Sequence, residues 1–235
     1  DLFFATPARL KFLKADRTET VEAADVVRRL ALAHADIGFS FATEERRVVD
    51  VPKDQTPEAR IAQLLGRDFM DNAVPFAMTR EDVTVRGFAG LPTWARGQAT
   101  MQYAFVNGRA VRDKLISGAL RGAYADLMPP GRYPAVVLFI DCQPQRVDVN
   151  VHPAKAEVRF RDGGLVRGLI VSAIREALGA RRSADTGLAR DTVTSFRPVM
   201  PDQPGDLIQG GARFRDSHIQ AGRLAQHPDH GDECR

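Results

Sequence analysis

Hydrophobic residues recur at helical spacing in four stretches of the chain. The longest runs from 112 to 128, where apolar side chains fall at i, i+1, i+4 and i+5 and then repeat, which predicts one continuous apolar helix face. The stretch 165–178 repeats this spacing, and Gly179 is predicted to end it. Two shorter amphipathic helices are predicted over 20–34 and 58–66. These four segments supply the helical part of the expected fold.

Strands are predicted where apolar residues alternate with polar ones or form short uninterrupted runs. The predicted strands are 37–43 and 46–51, paired as a hairpin, followed by 73–78, 83–89, 101–106 and 135–141. The last of these, AVVLFID, shows little alternation and is therefore expected to be buried. Helices and strands in this order predict an α+β fold built of α/β layers.

The stretch VDVNVHPAKAEVRF at 147–160 has a period of two residues on both sides of Pro153-Ala154-Lys155. Two half-buried strands are therefore predicted to flank these three residues. Pro153 lacks an N–H and fixes its own φ, so it is expected to end the first strand and to stiffen the loop. Lys155 would then lie on a stiff loop between two strands. Spacing alone is equally compatible with a solvated loop tip.

A polar connector bracketed by Pro52 and Pro57 divides the chain, because the hydrophobic pattern restarts after it. Residues 1–52 are predicted to be the end of one α/β domain, since they begin on an apolar run, DLFF, that is typical of a core strand. Residues 53–180 are predicted to form a second domain. Residues 181–235 lack periodicity and contain many proline, glycine and charged residues, so they are predicted to be a disordered linker.

Composition is that of an ordinary globular protein, with 44% hydrophobic and 27% charged residues. No apolar run is long enough to cross a bilayer and the first residues lack the features of a signal peptide, so we expect a cytoplasmic protein without a membrane partner. Cys142 and Cys234 are far apart, which favours a structural Cys142 over a disulfide. His227 and His230 lack further ligands at metal spacing, so no metal site is predicted.

Positive charge is concentrated in the second domain. Between Phe105 and Arg182 there are thirteen Lys and Arg against seven Asp and Glu, a local balance of 13 − 7 = +6. This excess favours an anionic partner, although surface charge that serves solubility alone stays an alternative. On the longest predicted helix, Arg112, Lys114 and Arg121 fall outside the apolar face and are expected on the open side.

Three motifs stand out in the chain: DLFFATPARLKFLK at 1–14, FVNGRAVRDKLISGALRGAY at 105–124 and VDVNVHPAKAEVRF at 147–160. They resemble motifs of the MutL family of DNA mismatch repair proteins, and they stand in that family's order. The resemblance implies that residues 1–52 are a remnant of an ATPase domain of the gyrase, Hsp90, histidine kinase and MutL (GHKL) type. It implies that residues 53–180 fold like domain 2 of ribosomal protein S5.

The resemblance also implies a nucleotide contact. Lys155 resembles the lysine that the second domain extends into the ATP site to touch the γ-phosphate, a task that suits a strong point charge. Thr6 resembles the threonine of the same fold near the adenine, whereas Ala5 stands where the family usually has asparagine. The family's general base, magnesium ligand and Gly-rich motifs all precede the position that corresponds to Asp1. ATP and magnesium are therefore expected in the full-length protein, and neither is expected to bind this chain alone.

The resemblance further implies a DNA groove. Arg109, Arg112 and Lys114 resemble basic residues that line it, and Arg121 continues the strip along the predicted helix. Such side chains meet phosphates and give affinity without reading sequence. The implied partners are double-stranded DNA, a MutS-type mismatch recognition protein and a second copy of the full-length protein, in a cytoplasmic, nucleoid-associated location.

The implied function is DNA mismatch repair, in which ATP binding is coupled to DNA engagement after a mismatch is recognised. Two other interpretations stay open on the residues alone. A stand-alone S5-like nucleic-acid-binding module would need no nucleotide, but the apolar start argues against it. The transducer domain of a type II topoisomerase also offers a lysine to ATP, but the pairing of FVNGR with VDVNVHPAK favours the MutL family.

Overall fold

A five-stranded mixed sheet lies at the centre of the computed structural model, which describes residues 5–44, 46–148 and 157–195. The helices are α1 (Asp16–Ala33), α2 (Pro57–Leu65), α3 (Arg67–Asp71), α4 (Lys114–Ala123) and α5 (Gly163–Ser195). The strands are β1 (Phe39–Ala42), β2 (Arg47–Val51), β3 (Ala73–Arg80), β4 (Val83–Gly90), β5 (Gln102–Val106), β6 (Arg109–Val111), β7 (Val136–Cys142), β8 (Val147–Asp148) and β9 (Arg159–Phe160). The predicted mixed α/β fold is confirmed, and each helix and strand predicted within the described residues has its counterpart, whereas the apolar run at 1–4 lies outside them.

The central sheet has the strand order β3-β4-β7-β5-β6, and neighbouring strands are antiparallel except for the parallel pair of β5 and β7. Helices cover both of its faces. Val136, Leu138 and Ile140 pack with the core on the α4 and α5 side, whereas Val137 and Phe139 pack with the core formed by α2, α3 and the end of α1. Burial on both faces explains why the sequence of β7 shows no alternation.

The apolar face predicted for α4 is confirmed. Ile116, Ala119, Leu120 and Ala123 are buried in the core between the sheet and α5. Tyr124, which follows α4, is also buried, and its hydroxyl donates a hydrogen bond of 2.7 Å to the carbonyl oxygen of Gly90. Each large apolar side chain buried in this way contributes about 1.5–3 kcal/mol. Packing therefore fixes which side of α4 faces solvent.

The predicted boundaries of α4 were wrong at both ends. The helix begins at Lys114 because Asp113 caps it, its Oδ1 accepting the N–H groups of Leu115 and Ile116 at 2.8 and 3.2 Å. The residues just before it form the short strand β6, which pairs with β5. The helix ends at Ala123, and the next residues form a turn in which the carbonyl of Tyr124 accepts the N–H groups of both Leu127 and Met128 at 3.0 and 3.2 Å.

The end predicted for α5 at Gly179 was also wrong, because the helix continues to Ser195. A glycine in a helix interior costs about 1 kcal/mol relative to alanine, which weakens a helix without ending it. Alanine, leucine and arginine then follow, and all three favour helix. Within the described part of the chain, neither α5 nor another helix is both long and apolar enough to cross a lipid bilayer. Residues 196–235, the rest of the predicted linker, lie outside the described residues.

Arg60 on α2 has 0% exposed surface, and its guanidinium is surrounded by backbone carbonyls. The acceptors are the carbonyl oxygens of Ala31, His34, Ala35, Ile37 and Pro52 at 2.6–3.1 Å and the side chain of Gln55 at 2.5 Å. Burial lowers the pKa of Arg60, and the nearby charge of Asp36 opposes that shift. Arg60 thus joins α2 to the end of α1 and to the connector at Pro52. The domain boundary predicted at this connector stays a prediction.

Candidate functional site

A short antiparallel stem brackets the segment in which a loop with Lys155 is predicted. It consists of β8 and β9, which pair Val147 with Phe160 and Asp148 with Arg159. Strands therefore flank the loop as predicted. Lys155 itself lies outside the described residues, and its nucleotide role stays a prediction.

The side chain of Arg146 ties the root of this stem to the turn between β3 and β4. Its Nε donates to Oδ2 of Asp82 at 3.0 Å, and its Nη2 lies 2.6 Å from Oδ1 as an ion pair without hydrogen-bond geometry. Its Nη2 also donates to Oε2 of Glu81 at 3.0 Å. The hydrogen bonds to Asp82 and then to Glu81 raise the pKa of Arg146. Sequence reasoning missed this contact because it joins residues more than sixty positions apart.

Lys114 and Arg121 lie on one exposed face of α4. They are seven residues apart, which is close to two helical turns and places them about 10.5 Å apart along the helix axis. Gly118 lies between them, and a Cβ added there would meet no atom within 4 Å. The helix surface between the two cations is therefore unobstructed at Gly118. The predicted exposure of Lys114 and Arg121 is confirmed, and their DNA role stays a prediction.

Arg109 and Arg112 lie at the edge of the sheet and differ in their surroundings. Arg109 is exposed on β6, the edge strand. Arg112 is also exposed, but its Nη2 donates at 2.8 Å to Oδ2 of Asp25 on α1. The same carboxylate oxygen accepts a bond of 2.8 Å from Nε of Arg29. Among the four residues predicted to contact DNA, Arg112 is thus the one whose side chain forms an ion pair within the described structure.

A cleft of about 1100 Å³ lies beside this ion pair, between α1, β5, β6 and α4. Asp25, Arg29 and Arg112 belong to its wall. The guanidinium of Arg29 also lies over the ring of Tyr103, 4.9 Å from its centre. No local pattern in the sequence reveals this cleft, because its walls come from segments more than eighty residues apart.

The described residues supply little of a nucleotide site. Thr6 is exposed and stands just before the 3-10 helix Pro7–Phe12. Within 5–44, 46–148 and 157–195, no three His, Cys, Asp or Glu side chains lie close enough to hold a metal ion. A lysine on a loop suits contact with one terminal phosphate.

Residues 61–179 match the protein family described as "DNA mismatch repair protein, C-terminal domain". The DNA mismatch repair protein MutL of Rhizobium leguminosarum bv. trifolii (strain WSM2304) is 54% identical over 206 residues, which cover 86% of this chain and 34% of that protein. The protein of the same name from Agrobacterium fabrum is 54% identical over 201 residues, which cover 84% of this chain and 33% of that protein. The chain thus spans about a third of the length of these curated relatives.

Two solved structures share the fold. One is the N-terminal domain of a DNA repair protein, with a TM-score of 0.65, 18% identity and coverage of 77% of this chain and 60% of that one. The other is a variant of the Aquifex aeolicus MutL ATPase domain, with a TM-score of 0.51, 21% identity and coverage of 76% of this chain and 59% of that one. At these identities the likeness establishes the fold alone.

Proposed function

Because the chain belongs to the MutL family of DNA mismatch repair proteins, we propose that it acts in DNA mismatch repair as a part of a longer protein of that family. In this proposal it contributes two things: a basic surface on α4 for the DNA backbone, and a loop whose lysine contacts ATP. The open cationic face of α4 carries the first part. The second part rests on the match between VDVNVHPAK and the family's lysine loop.

Lys114 and Arg121 suit the phosphates of double-stranded DNA. Both are exposed, they share one helix face, and Gly118 between them leaves room for a bulky polyanion. Arg109 adds a third cation at the sheet edge. Side chains of this kind neutralise phosphates and release counterions, so binding is independent of sequence and steep in salt.

Replacing both Lys114 and Arg121 by glutamate is expected to weaken duplex binding about tenfold or more and to lower the slope of log K against log salt by about two, since two phosphate contacts are lost. Matched and mismatched duplexes are expected to lose affinity alike. Salt titrations of a fluorescent duplex measure both quantities.

The matched control carries Arg47→Glu and Arg67→Glu, which change the net charge equally on β2 and α3. A similar loss in this control would show that total charge, and not the α4 face, determines binding. Unchanged affinity in the α4 variant would show that DNA binds elsewhere or not at all. The unfolding midpoint is expected to stay nearly constant in both, because exposed charges contribute little stability.

For the loop, Lys155 is proposed to contact the terminal phosphate of ATP that is held by the rest of the full-length protein, and Thr6 is proposed to lie on the adenine side. This terminal phosphate is present in ATP and absent in ADP. A lysine that contacts only this phosphate makes one charge-assisted contact with ATP that it cannot make with ADP. The described residues hold no other part of that contact.

The test uses a chimaera in which this chain replaces the matching third of the Rhizobium leguminosarum relative. In the chimaera, Lys155→Ala is expected to lower ATP turnover about tenfold to a hundredfold while ADP affinity stays constant. Lys53→Ala, at an exposed lysine of the connector, is the control. Equal losses of affinity for ATP and ADP would contradict a contact with the terminal phosphate.

The other partners are proposals for the full-length protein. They are a MutS-type mismatch recognition protein and a second copy of the same chain, in a cytoplasmic, nucleoid-associated location. Membership of the MutL family argues against the transducer domain of a topoisomerase. It also argues against a stand-alone module, because the curated relatives extend well beyond the matched region.

A further inference from the structure

The stem formed by β8 and β9 is too short to fix its own direction. It has two residue pairs, and a hairpin of this size is marginally stable without support. Phe160 is buried and Val147 is half-buried, so one face of the stem rests on the core. The other face is exposed at Asp148 and Arg159. What holds the stem at its root therefore determines the direction of the stem.

Arg146 supplies three links at this root. Its N–H donates to the carbonyl of Gln143 at 2.9 Å and its carbonyl accepts the N–H of Arg161 at 2.8 Å, which brings the two arms of the hairpin together beyond the strand pairs. Its guanidinium donates one hydrogen bond to Oδ2 of Asp82 and one to Oε2 of Glu81, and it forms an ion pair with both carboxylates. The side chains of Arg146 and Asp82 are 30% and 24% exposed, so this contact is partly shielded from water.

The turn that receives Arg146 is a rigid part of the sheet. Strands β3 and β4 pair up to Arg80 and Val83, which leaves Glu81 and Asp82 as a two-residue turn, and Glu81 has a φ of 54°. Val83 is buried and also pairs with Cys142 on β7. A carboxylate on such a turn has little freedom to move relative to the sheet.

From this geometry we propose that Arg146 is a positioning residue: held by Asp82 and Glu81, it fixes the direction in which the stem of β8 and β9 projects from the sheet. Its functional importance rests on the proposed contact of the stem's loop with a nucleotide phosphate. The contacts of Arg146 with Asp82 and Glu81 would set the orientation of the stem before a nucleotide binds. Less conformational freedom would then be lost on binding.

Amide hydrogen exchange in the present chain, without any nucleotide, tests whether Arg146 holds the stem. Arg146→Gln and Asp82→Asn are each expected to speed exchange of the Arg161 amide, which donates to the carbonyl of Arg146, about tenfold, with β4 and β7 amides unchanged. The charge swap that combines Arg146→Asp with Asp82→Arg is expected to restore slower exchange. Arg86→Gln, which removes an exposed ion pair with Asp141, is the control and should leave the stem unchanged.

Unchanged stem exchange in Arg146→Gln would overturn the proposal. Faster exchange throughout the sheet, with a lowered unfolding midpoint, would also overturn it, because Arg146 would then support the whole fold and not the stem.

The chimaera separates this inference from the function on which it rests. Arg146→Gln is expected to lower ATP turnover about tenfold with ADP affinity unchanged, and the charge swap is expected to recover part of it. If Lys155→Ala lowers turnover and Arg146→Gln does not, the positioning role is wrong while the phosphate contact stands. If Lys155→Ala has no effect, the phosphate contact is wrong, and the exchange data still decide whether Arg146 orients the stem.

Discussion

Replacing Arg60 by methionine is expected to lower the free energy of unfolding by about 3–5 kcal/mol. The five N–H groups of the side chain lie within hydrogen-bond distance of six acceptors in a site with 0% exposure, and five of these acceptors are backbone carbonyls. Methionine fills a similar volume but donates nothing, so these carbonyls would lose a partner where water has little access. The stability of Arg60→Lys is expected to lie between that of the parent chain and that of Arg60→Met. One ammonium group cannot reach all of the acceptors that a planar guanidinium contacts.

Urea unfolding followed by circular dichroism measures the effect. Arg67→Met is the control, since Arg67 is exposed on the neighbouring helix α3 and its loss is expected to change stability by less than about 0.5 kcal/mol. A loss below about 1 kcal/mol in Arg60→Met would show that the carbonyls find other donors.

Gly87→Ala is expected to lower the free energy of unfolding by more than about 3 kcal/mol. Gly87 stands opposite Leu138 in the central pair of strands β4 and β7, with a φ of +152° that side chains rarely tolerate. A Cβ added there would overlap the carbonyl oxygen of Val137 and lie 2.9 Å from its carbonyl carbon. Because these are backbone atoms within the sheet, the strands would have to separate to admit a methyl group.

Gly118→Ala is the matched control for Gly87→Ala, because the same methyl group would enter open space on α4. It is expected to raise stability by about 0.5–1 kcal/mol through the helix preference of alanine. Thermal and urea unfolding of the two variants should therefore change in opposite directions. Equal stability of Gly87→Ala and the parent chain would contradict the close approach of β4 and β7.

Hydrophobic spacing predicted the layers of the fold because burial repeats along each long element. The run 135–141 and the helix that begins near Lys114 each bury several side chains, so their patterns are strong. Strand β6 was missed because three residues, Arg109–Val111, cannot show a period. The end of α5 was misplaced because a single glycine weakens a helix by less than the following residues support it.

The polar contacts could not be predicted from the sequence for a different reason. Arg60 stands in an amphipathic pattern in which an arginine is expected on the surface, and only the folded chain brings carbonyls around it. Arg112 forms its ion pair with Asp25, which lies 87 positions earlier in the chain, and no local sequence pattern relates the two residues. Exposure of Lys114 and Arg121 could be predicted, because it follows from the apolar face of their own helix.

The position of β7 in the sheet has a consequence for the order in which the chain can fold during synthesis. β7 lies between β4 and β5, although it leaves the ribosome after both of them. The hairpins β3–β4 and β5–β6 join near neighbours in the chain and can close early, whereas the pairing of Gly87 with Leu138 spans 51 positions and must wait. Until β7 inserts, each hairpin presents an unpaired edge to other nascent chains. Insertion of this one strand therefore joins the two hairpins into one sheet and pairs both of these exposed edges in the same step.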